Sequence, residues 1–560
     1  MSTKMHKKNP SFHNELKVSK KGLDLIRDPM LNKGSAFSEK EREDFNLYGL
    51  VPPHVSTLKQ QIQRVTENYR RKDTDIGKYI FLEALHDRNE TLYYAMLLNN
   101  LEDMTPIIYT PTVGLACQQY GHIFRRTRGM YISARGKGEI KKRINNWPVD
   151  EVDVIVVTDG SRILGLGDLG ASGMGIPVGK LSLYVACAGI HPSKTLPIVI
   201  DVGTENEDLL DNPLYLGENH RRLKGEDFYE ILDEFIIAAH ERWPRALIQF
   251  EDFTNDHAFP LLKKYREKLL CFNDDIQGTG SVALAGLLAA MRITKEKLGD
   301  QRIVFFGAGS AAVGIADMIV AGMVEEGLSK EKARKNFWFL DSKGLVTTTR
   351  GDELAEHKIP YARSGKFQKK LLDVVKTVKP TVLVGVSKQP CAFNEQVVRE
   401  MKKHVEIPVI FALSNPTSKS ECSPEQAYKW TDGKVVFASG SPFKPIEFKG
   451  KTYYTGQGNN MYIFPGVGLG AISCKATKIP DSMFYIAAKT LAELVSEKDL
   501  KKGRVYPDLN DIREISAQIA VAVCEIAYQK GIAWEKRPDD LLTFVKSKMF
   551  QPVYSSYKVI

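Results

Sequence analysis

"QRIVFFGAGSAAVGIADMIVAGMV" occupies residues 301–324, and the order of residue types within it decides the fold. An apolar run ending at Phe306 meets a glycine turn and then a helix-forming apolar stretch. Gly307, Gly309 and Ala312 stand in G-x-G-x-x-A spacing. The first glycine makes the turn, the second lets backbone approach a pyrophosphate, and the helix N-terminus faces the negative charge. Gly307, Ala308, Gly309, Ser310 and Ala312 are therefore candidate dinucleotide contacts. The spacing alone also fits a plain tight turn, and the strand before it with the helix after it is what favours the dinucleotide reading.

The next apolar run ends "FLDSKG". Asp341 stands where an acid can bond the adenosine ribose, although the interval from the glycines is longer than the usual ~20 residues. Ser342 and Lys343 follow at once and suit a 2′-phosphate. An acid argues for NAD and the Ser-Lys pair for NADP, with a turn of exposed polar residues as the alternative to both. Further short apolar runs, "PTVLVGVS", "PVIFALSNP" and "KVVFASGSP", continue the same block.

Working outward, "VDVIVVTDG" (152–160), "TLPIVIDVG" (195–203) and "ALIQFEDF" (246–253) are β-branched runs separated by helical patterns. They read as buried strands of a second parallel sheet, with ligands expected at their carboxyl ends. Residues 38–125 read as helical: Ser38 is a cap-like start, and "VSTLKQQIQRVTENYRRK" recurs apolar at three- and four-residue spacing. After 460 the pattern returns to helices, notably "EISAQIAVAVCEIAYQKG" (514–531). No internal repeat or low-complexity segment interrupts it. The fold class expected is α/β, with a helical N-terminal region, a central α/β domain and a Rossmann-like dinucleotide domain.

A chain of 560 residues is too long for one core. No uninterrupted apolar run approaches the ~18 residues of a membrane span, so no membrane association is expected. Seven scattered cysteines, odd in number and never in a Cys-x-x-Cys pair, argue against a disulfide framework or thiolate zinc site and for a reducing compartment. The Lys-rich start "MSTKMHKKNPSFHNELKVSKKG" lacks a signal core and a transit-peptide pattern. The expected location is the cytosol, with mitochondria as the alternative. The net charge of +10, from 78 basic and 68 acidic residues, suits a small anionic substrate or a phosphate-bearing cofactor. No long basic run suggests nucleic acid.

"GLGDLGASGMGIPVGK" (165–180) carries six glycines and ends on Lys180. A Walker loop needs glycine five residues before Gly179 and Ser or Thr after the lysine. Met174 and Leu181 stand there instead, so Lys180 has another task. Two acidic pairs, Glu251-Asp252 in "QFEDF" and Asp274-Asp275 in "FNDDIQGTG", follow apolar segments. Neighbouring carboxylates repel unless a cation neutralises them, and hard Mg²⁺ or Mn²⁺ takes oxygen ligands. Either pair alone also reads as solvated loop acids; two pairs beside apolar strands favour metal. A hydride acceptor, a divalent cation and a lysine able to act as base suit oxidation of a hydroxy acid, and Arg162 in "TDGSRILGLGD" suits a carboxylate.

At this point the motifs "YTPTVG" (109–114), "VTDGSRILGLGDLGASGMGIPVGK" (157–180), "QFEDF" (249–253), "FNDDIQGTG" (272–280), "GAGSAAVGIA" (307–316), "ALSNPTSKSEC" (412–422) and "GQGNNMYIFPG" (456–466) resemble the malic enzymes, in order and over nearly the whole chain. The resemblance implies oxidative decarboxylation of L-malate to pyruvate and CO₂ with NADP or NAD and Mg²⁺ or Mn²⁺. It implies Lys180 as the base at the C2 hydroxyl with Asp274 tuning its charge, and Glu251, Asp252 and Asp275 on the metal, Asp275 lying also near the cofactor. Tyr109 would protonate C3. Arg162 would bind a malate carboxylate beside the nicotinamide, and Asn415 with Asn459 would bond substrate and cofactor, Asn460 being the alternative to Asn459. Arg64 and Arg88 match positions that bind an activating dicarboxylate, fumarate, in some members; solvated helix arginines are the other reading.

By the same resemblance a dinucleotide domain (276–458) is inserted in an α/β domain made of 126–275 and 459–530. A helical N-terminal domain (1–125) and a tail (531–560) would build contacts in a homo-oligomer, a dimer of dimers. The match weakens over "TTTRGDELAEHKIPYARSGKF" (347–367), on which cofactor choice depends; the "DSKG" form favours NADP over NAD.

Overall fold

The short β-branched runs become two parallel sheets in the computed structural model, which describes residues 15–350 and 354–560. Residues 1–14, on which the leader reading rests, and 351–353 of the divergent segment lie outside the described residues. The chain divides into two units: residues 1–116, 123–126 and 550–560 in one, and 117–122 with 127–549 in the other.

The smaller unit is helical. Its helices are α1 (Leu58–Arg70), α2 (Asp75–His86), α3 (Glu90–Asn99) and α4 (Leu101–Ile108). Ser38 closes a capping box with Glu41, and Thr57 closes another with Gln60 at the start of α1, which satisfies N–H groups the first helical turn leaves open. Leu16–Val18 pairs in parallel with Tyr557–Val559. The chain end is thereby built into a small core of Val18, Leu25, Phe37, Phe45 and Leu47.

In the larger unit the first sheet holds β1 (Met130–Ser133), β2 (Val154–Thr158), β3 (Thr195–Asp201), β4 (Leu247–Phe250) and β5 (Cys271–Asn273). Its order is β1-β3-β2-β4-β5, parallel throughout. Every residue of β2 is buried, as expected of a strand covered on both faces. Helix α5 (Gly175–Ala188), all of it buried, packs on β2 and β3. Phe228, Ile231 and Phe235 of α6 (Glu226–Arg242) and Leu261 of α7 (Asn255–Tyr265) join the core that includes Ile155, Ile198 and Ile248.

The second sheet holds β6 (Ile303–Phe306), β7 (Phe337–Asp341), β8 (Gly344–Leu345), β9 (Val382–Gly385), β10 (Val409–Ala412), β11 (Val436–Ser439) and β12 (Gly456–Gln457). Its order is β12-β11-β10-β9-β6-β7-β8, parallel except for the final β7–β8 pair. The chain leaves β6 to one side for β7 and crosses to the other for β9. That reversal is the switch point where open α/β sheets bind ligands.

Helix α8 (Thr279–Thr294) leads from the first sheet to the second, and α9 (Ser310–Glu325), between β6 and β7, packs against it. Asp274–Thr294 is long and apolar enough to cross a membrane by composition, and most of it is buried inside the fold. The two helices meet through glycines. A Cβ on Gly280 would lie 2.7 Å from the Gly314 carbonyl oxygen, and one on Gly314 would lie 2.9 Å from that of Ile276. Behind α5 lie α10 (Phe464–Ser473) and α12 (Ile512–Gln529), with α11 (Asp481–Glu493) against α8.

Candidate active site

Register places the acidic residues on one rim. Val157 of β2 faces Phe250 of β4, and Phe250 faces Asn273 of β5. The next residues, Thr158, Glu251 and Asp274, therefore emerge side by side at the carboxyl edge, on either side of the point where the chain reverses around β2. Glu251, Asp252 and Asp274 are all buried. Lys180 rises toward them from the second turn of α5 with 2% of its surface exposed. Its Nζ lies 3.0 Å from Glu251 Oε1 and donates to Asp274 Oδ2. The Phe464 ring covers it, centred 4.5 Å away. The Gly-rich segment before it forms a turn and a 3₁₀ stretch (Gly170–Met174) that delivers α5.

Two hydrogen-bond chains fix these groups. Tyr184 donates to Gln249 at 2.7 Å, and Gln249 donates to Glu251 at 2.8 Å. Asn460 donates to Asp274 Oδ2 at 2.9 Å and to Thr279 at 3.0 Å. Asn459 instead accepts the Met461 N–H within its own turn. Of the adjacent pair, it is Asn460 whose side chain reaches the lysine–carboxylate cluster.

As the side chains stand, no three His, Cys, Asp or Glu groups among the described residues converge as a metal site. Glu251 faces Lys180 and Gln249, Asp252 Oδ2 accepts the Leu164 N–H at 3.1 Å, and Asp275 Oδ2 accepts the Asp252 N–H at 2.8 Å. The chemistry of the three carboxylates nonetheless fits a hard cation. Burial pushes Asp252 up to about 8, with Asp275 adding repulsion. Burial likewise raises Glu251 and Asp275, against the pull of Lys180 on the first and of Arg162 and Lys180 on the second. Such a group is stabilised as anions only by more positive charge than the chain supplies. Asp252 also holds a left-handed backbone, φ 56°, a strain that non-glycine residues carry mainly at functional sites.

Arg162 stands on the loop after β2, where it donates to Asn255 at 2.8 Å and Ser310 at 3.3 Å. Arg222 anchors that loop through Asp168 (2.9 and 2.7 Å) and the Asp159 carbonyl (2.9 Å). Ser310 opens α9, so the contact of Arg162 ties the first sheet's loop to the dinucleotide turn. In that turn Gly307 has φ 119°, and a Cβ there would meet the Val386 carbonyl at 2.9 Å. Nothing lies within 4 Å of a Cβ on Gly309, which leaves the α9 N-terminus open to a pyrophosphate. Ala308, Ser310 and Ala312 are buried around it. Asn415, after β10, accepts from Ser441 at 2.6 Å.

At the end of β7 the structure pairs Asp341 with Arg350 and Lys358 of the divergent segment, which the sequence offers as a further source of positive charge for a 2′-phosphate. Arg350 grips Asp341 with both Nη atoms, at 2.8 and 3.0 Å, and Lys358 Nζ reaches the same carboxylate at 2.9 Å. Burial works against that charge, and the two cations overcome it, holding the carboxyl below its ordinary range. Lys343 contributes its backbone N–H to Asp341, and Ser342 is exposed. Lys388 lies on the loop after β9, at the end of a switch-point strand.

In the helical unit Tyr109 is buried at the end of α4. Arg64 donates to Ser56 and Arg88 to the Ala84 carbonyl, both at 3.3 Å.

A Rossmann-type crevice tied through Arg162 to a buried lysine–carboxylate cluster defines a dinucleotide-binding α/β protein with an acid–base site. Comparison with known proteins narrows the class. Residues 86–266 match the family model for the malic enzyme N-terminal domain, and 276–528 match that for the malic enzyme NAD-binding domain. The chain is 54% identical over 536 residues to an NADP-dependent malic enzyme of Dictyostelium discoideum, covering 95% of this chain and 98% of that protein. It is 50% identical over 537 residues to a human NADP-dependent malic enzyme, covering 95% and 94%, and 49% identical over 545 residues to a mouse protein named as mitochondrial, covering 97% and 90%. The crystal structure of an Entamoeba histolytica malic enzyme matches with a TM-score of 0.57 at 22% identity, over 90% of each chain, and supports the fold. This chain belongs to the malic enzyme family.

Proposed function

We propose that the protein oxidises L-malate to pyruvate and CO₂ with reduction of NADP⁺ in preference to NAD⁺, and that Glu251, Asp252 and Asp275 hold a divalent cation, Mg²⁺ or Mn²⁺. Beside family membership, the observation that carries this reading is Lys180, buried between Glu251 and Asp274 on the side of the sheet tied to the dinucleotide turn. When bound, the cation supplies Lewis-acid polarisation of oxygen, and the dinucleotide accepts hydride.

The chain's own residues divide the remaining work. Lys180 takes the proton of the C2 hydroxyl as the C2 hydride leaves. In the arrangement described, two carboxylates favour its ammonium form. Glu251 would be shared between the cation and Lys180, while Asp274 stays the carboxylate that pairs with Lys180 alone. Asn460 orients Asp274, and Arg162 holds a substrate carboxylate. After hydride transfer the 2-oxo acid loses C4 as CO₂, and the electron pair of the broken bond forms the enolate. The resemblance assigns delivery of a proton to C3 of that enolate to Tyr109.

Preference for NADP⁺ is supported by Arg350 and Lys358, which together outweigh the charge of Asp341. Seven unpaired cysteines support a reducing compartment, for which we propose the cytosol. The inserted-domain arrangement and a dimer of dimers remain our reading of the chain's organisation. Steady-state rates on L-malate with Mn²⁺, comparing NADP⁺ with NAD⁺ and collecting CO₂, test the proposal. Reduction of cofactor without CO₂ release would reduce it to a simple hydroxy-acid dehydrogenase.

A further inference from the structure

The loop after β9 crosses the dinucleotide crevice. Its residues Val386 and Ser387 are the ones against which Gly307 packs, and Lys388 comes next. The loop is pinned from below. Ser387 N–H donates to Glu421 at 3.2 Å, Lys388 N–H donates to Ser414 at 2.8 Å, and Ser414 donates to the same fully buried Glu421. So held, Lys388 takes a left-handed backbone, φ 58°, a conformation that costs a lysine about 1 kcal/mol or more and persists where the surroundings over-determine it. Its Nζ is thereby set 3.3 Å from where a Cβ on Gly165 would stand. Gly165 lies in the turn that also carries Arg162 and Leu164, the residue whose N–H caps Asp252.

The charges around the ammonium say which side of the crevice it serves. Burial and Arg162 lower its pKa, while Asp252 and Asp275 pull it back, so it lies among the groups of the substrate end. Lys180 has Glu251 and Asp274 as ion-pair partners. Among the described residues Arg162 bonds neutral Asn255 and Ser310 and no carboxylate, and none comes within ion-pair reach of Lys388. Two cations at the site thus feel Asp252 and Asp275 at a distance but make no direct ion pair among the described residues.

We propose that Lys388 is a substrate-binding residue, a second cation that works with Arg162 to hold the carboxylates of a C4 dicarboxylic acid. The inference rests on the malate-oxidising reading and adds to it a specificity-determining group on the dinucleotide side of the crevice.

The test compares parent enzyme with Lys388→Gln and Lys388→Arg. Three quantities are read: KM for malate, the dissociation constant of succinate (a C4 dicarboxylate that cannot be oxidised at C2) from the enzyme–NADPH complex, and that of NADPH alone. Loss of one partly exposed charge-assisted contact corresponds to about tenfold. Lys388→Gln should raise the malate KM and the succinate dissociation constant by about that factor, with NADPH binding within about twofold of the parent and Lys388→Arg recovering most of the loss. Unchanged succinate affinity in Lys388→Gln overturns the proposal. NADPH weakened as much as succinate also overturns it, assigning the cation to the cofactor's pyrophosphate. A parent enzyme that binds succinate but does not turn over malate instead refutes the reading underneath.

Discussion

Removing the Lys358 side chain should separate the two nicotinamide cofactors. Asp341 accepts from Arg350 at 2.8 and 3.0 Å and from Lys358 at 2.9 Å, so two cations meet one carboxylate and leave about one net positive charge. NADP⁺ differs from NAD⁺ by a 2′-phosphate carrying up to two negative charges. A charge-assisted contact to it is worth roughly 1.5–3 kcal/mol. The Lys358 side chain is 21% exposed, which calls for the lower half of that range. Lys358→Ala should therefore reduce kcat/KM for NADP⁺ by about ten- to fortyfold and leave NAD⁺ within about threefold. The fold should survive, because Arg350 keeps Asp341 paired. Lys343→Ala should cost less, since alanine preserves the backbone N–H that reaches Asp341. Initial rates with each cofactor at saturating malate and Mn²⁺, with NADPH titrations alongside, decide the matter. Equal losses with both cofactors, or none with NADP⁺, would refute the reasoning, as would a parent that prefers NAD⁺ more than tenfold.

Lys180→Ala should lower malate oxidation by ~10²–10⁴, the usual share of a general base, whereas Tyr109→Phe should slow the formation of pyruvate from supplied oxaloacetate yet still reduce pyruvate at C2; near-parental malate rates in both variants would remove these roles. Glu251→Ala and Asp275→Ala should each weaken Mn²⁺ binding in a paramagnetic titration, and unchanged affinity in both would take the carboxylates out of the cation site. Gly280→Ala places a methyl 2.7 Å from the Gly314 carbonyl, and chemical denaturation should show it less stable by about 1–3 kcal/mol; full stability would mean the helices are free to part. Fumarate should lower the malate requirement and Arg88→Ala should erase that effect, a claim sunk by a parent that ignores fumarate at subsaturating malate.

How much of this was legible depended on whether a residue's neighbours were set by local period. The β6–α9 unit was readable because a strand, a glycine turn and a helix announce themselves within one window. Glu251 and Asp274 were readable as a set because residues ending adjacent parallel strands share a rim. The pairing of Arg350 and Lys358 with Asp341 was not: they lie nine and seventeen residues beyond it in a segment without helical or strand period, so only the folded loop joins them. Asn459 and Asn460 are chemically identical neighbours, and the turn geometry alone separates them. Lys388 reads in sequence as one more polar loop residue. What distinguishes it is Glu421, more than thirty residues away, fixing the backbone beneath it.

The glycine contact between α8 and α9 has a mechanical meaning. Because Gly314 of the dinucleotide helix bears on the backbone of Ile276, the residue after Asp275, the crossing has no side-chain cushion to absorb a displacement. Any displacement of α9 would therefore be met by the backbone of the turn that carries Asp274 and Asp275, not by a yielding side chain. The crossing is a backbone-on-backbone bearing, stiffer than one padded by side chains.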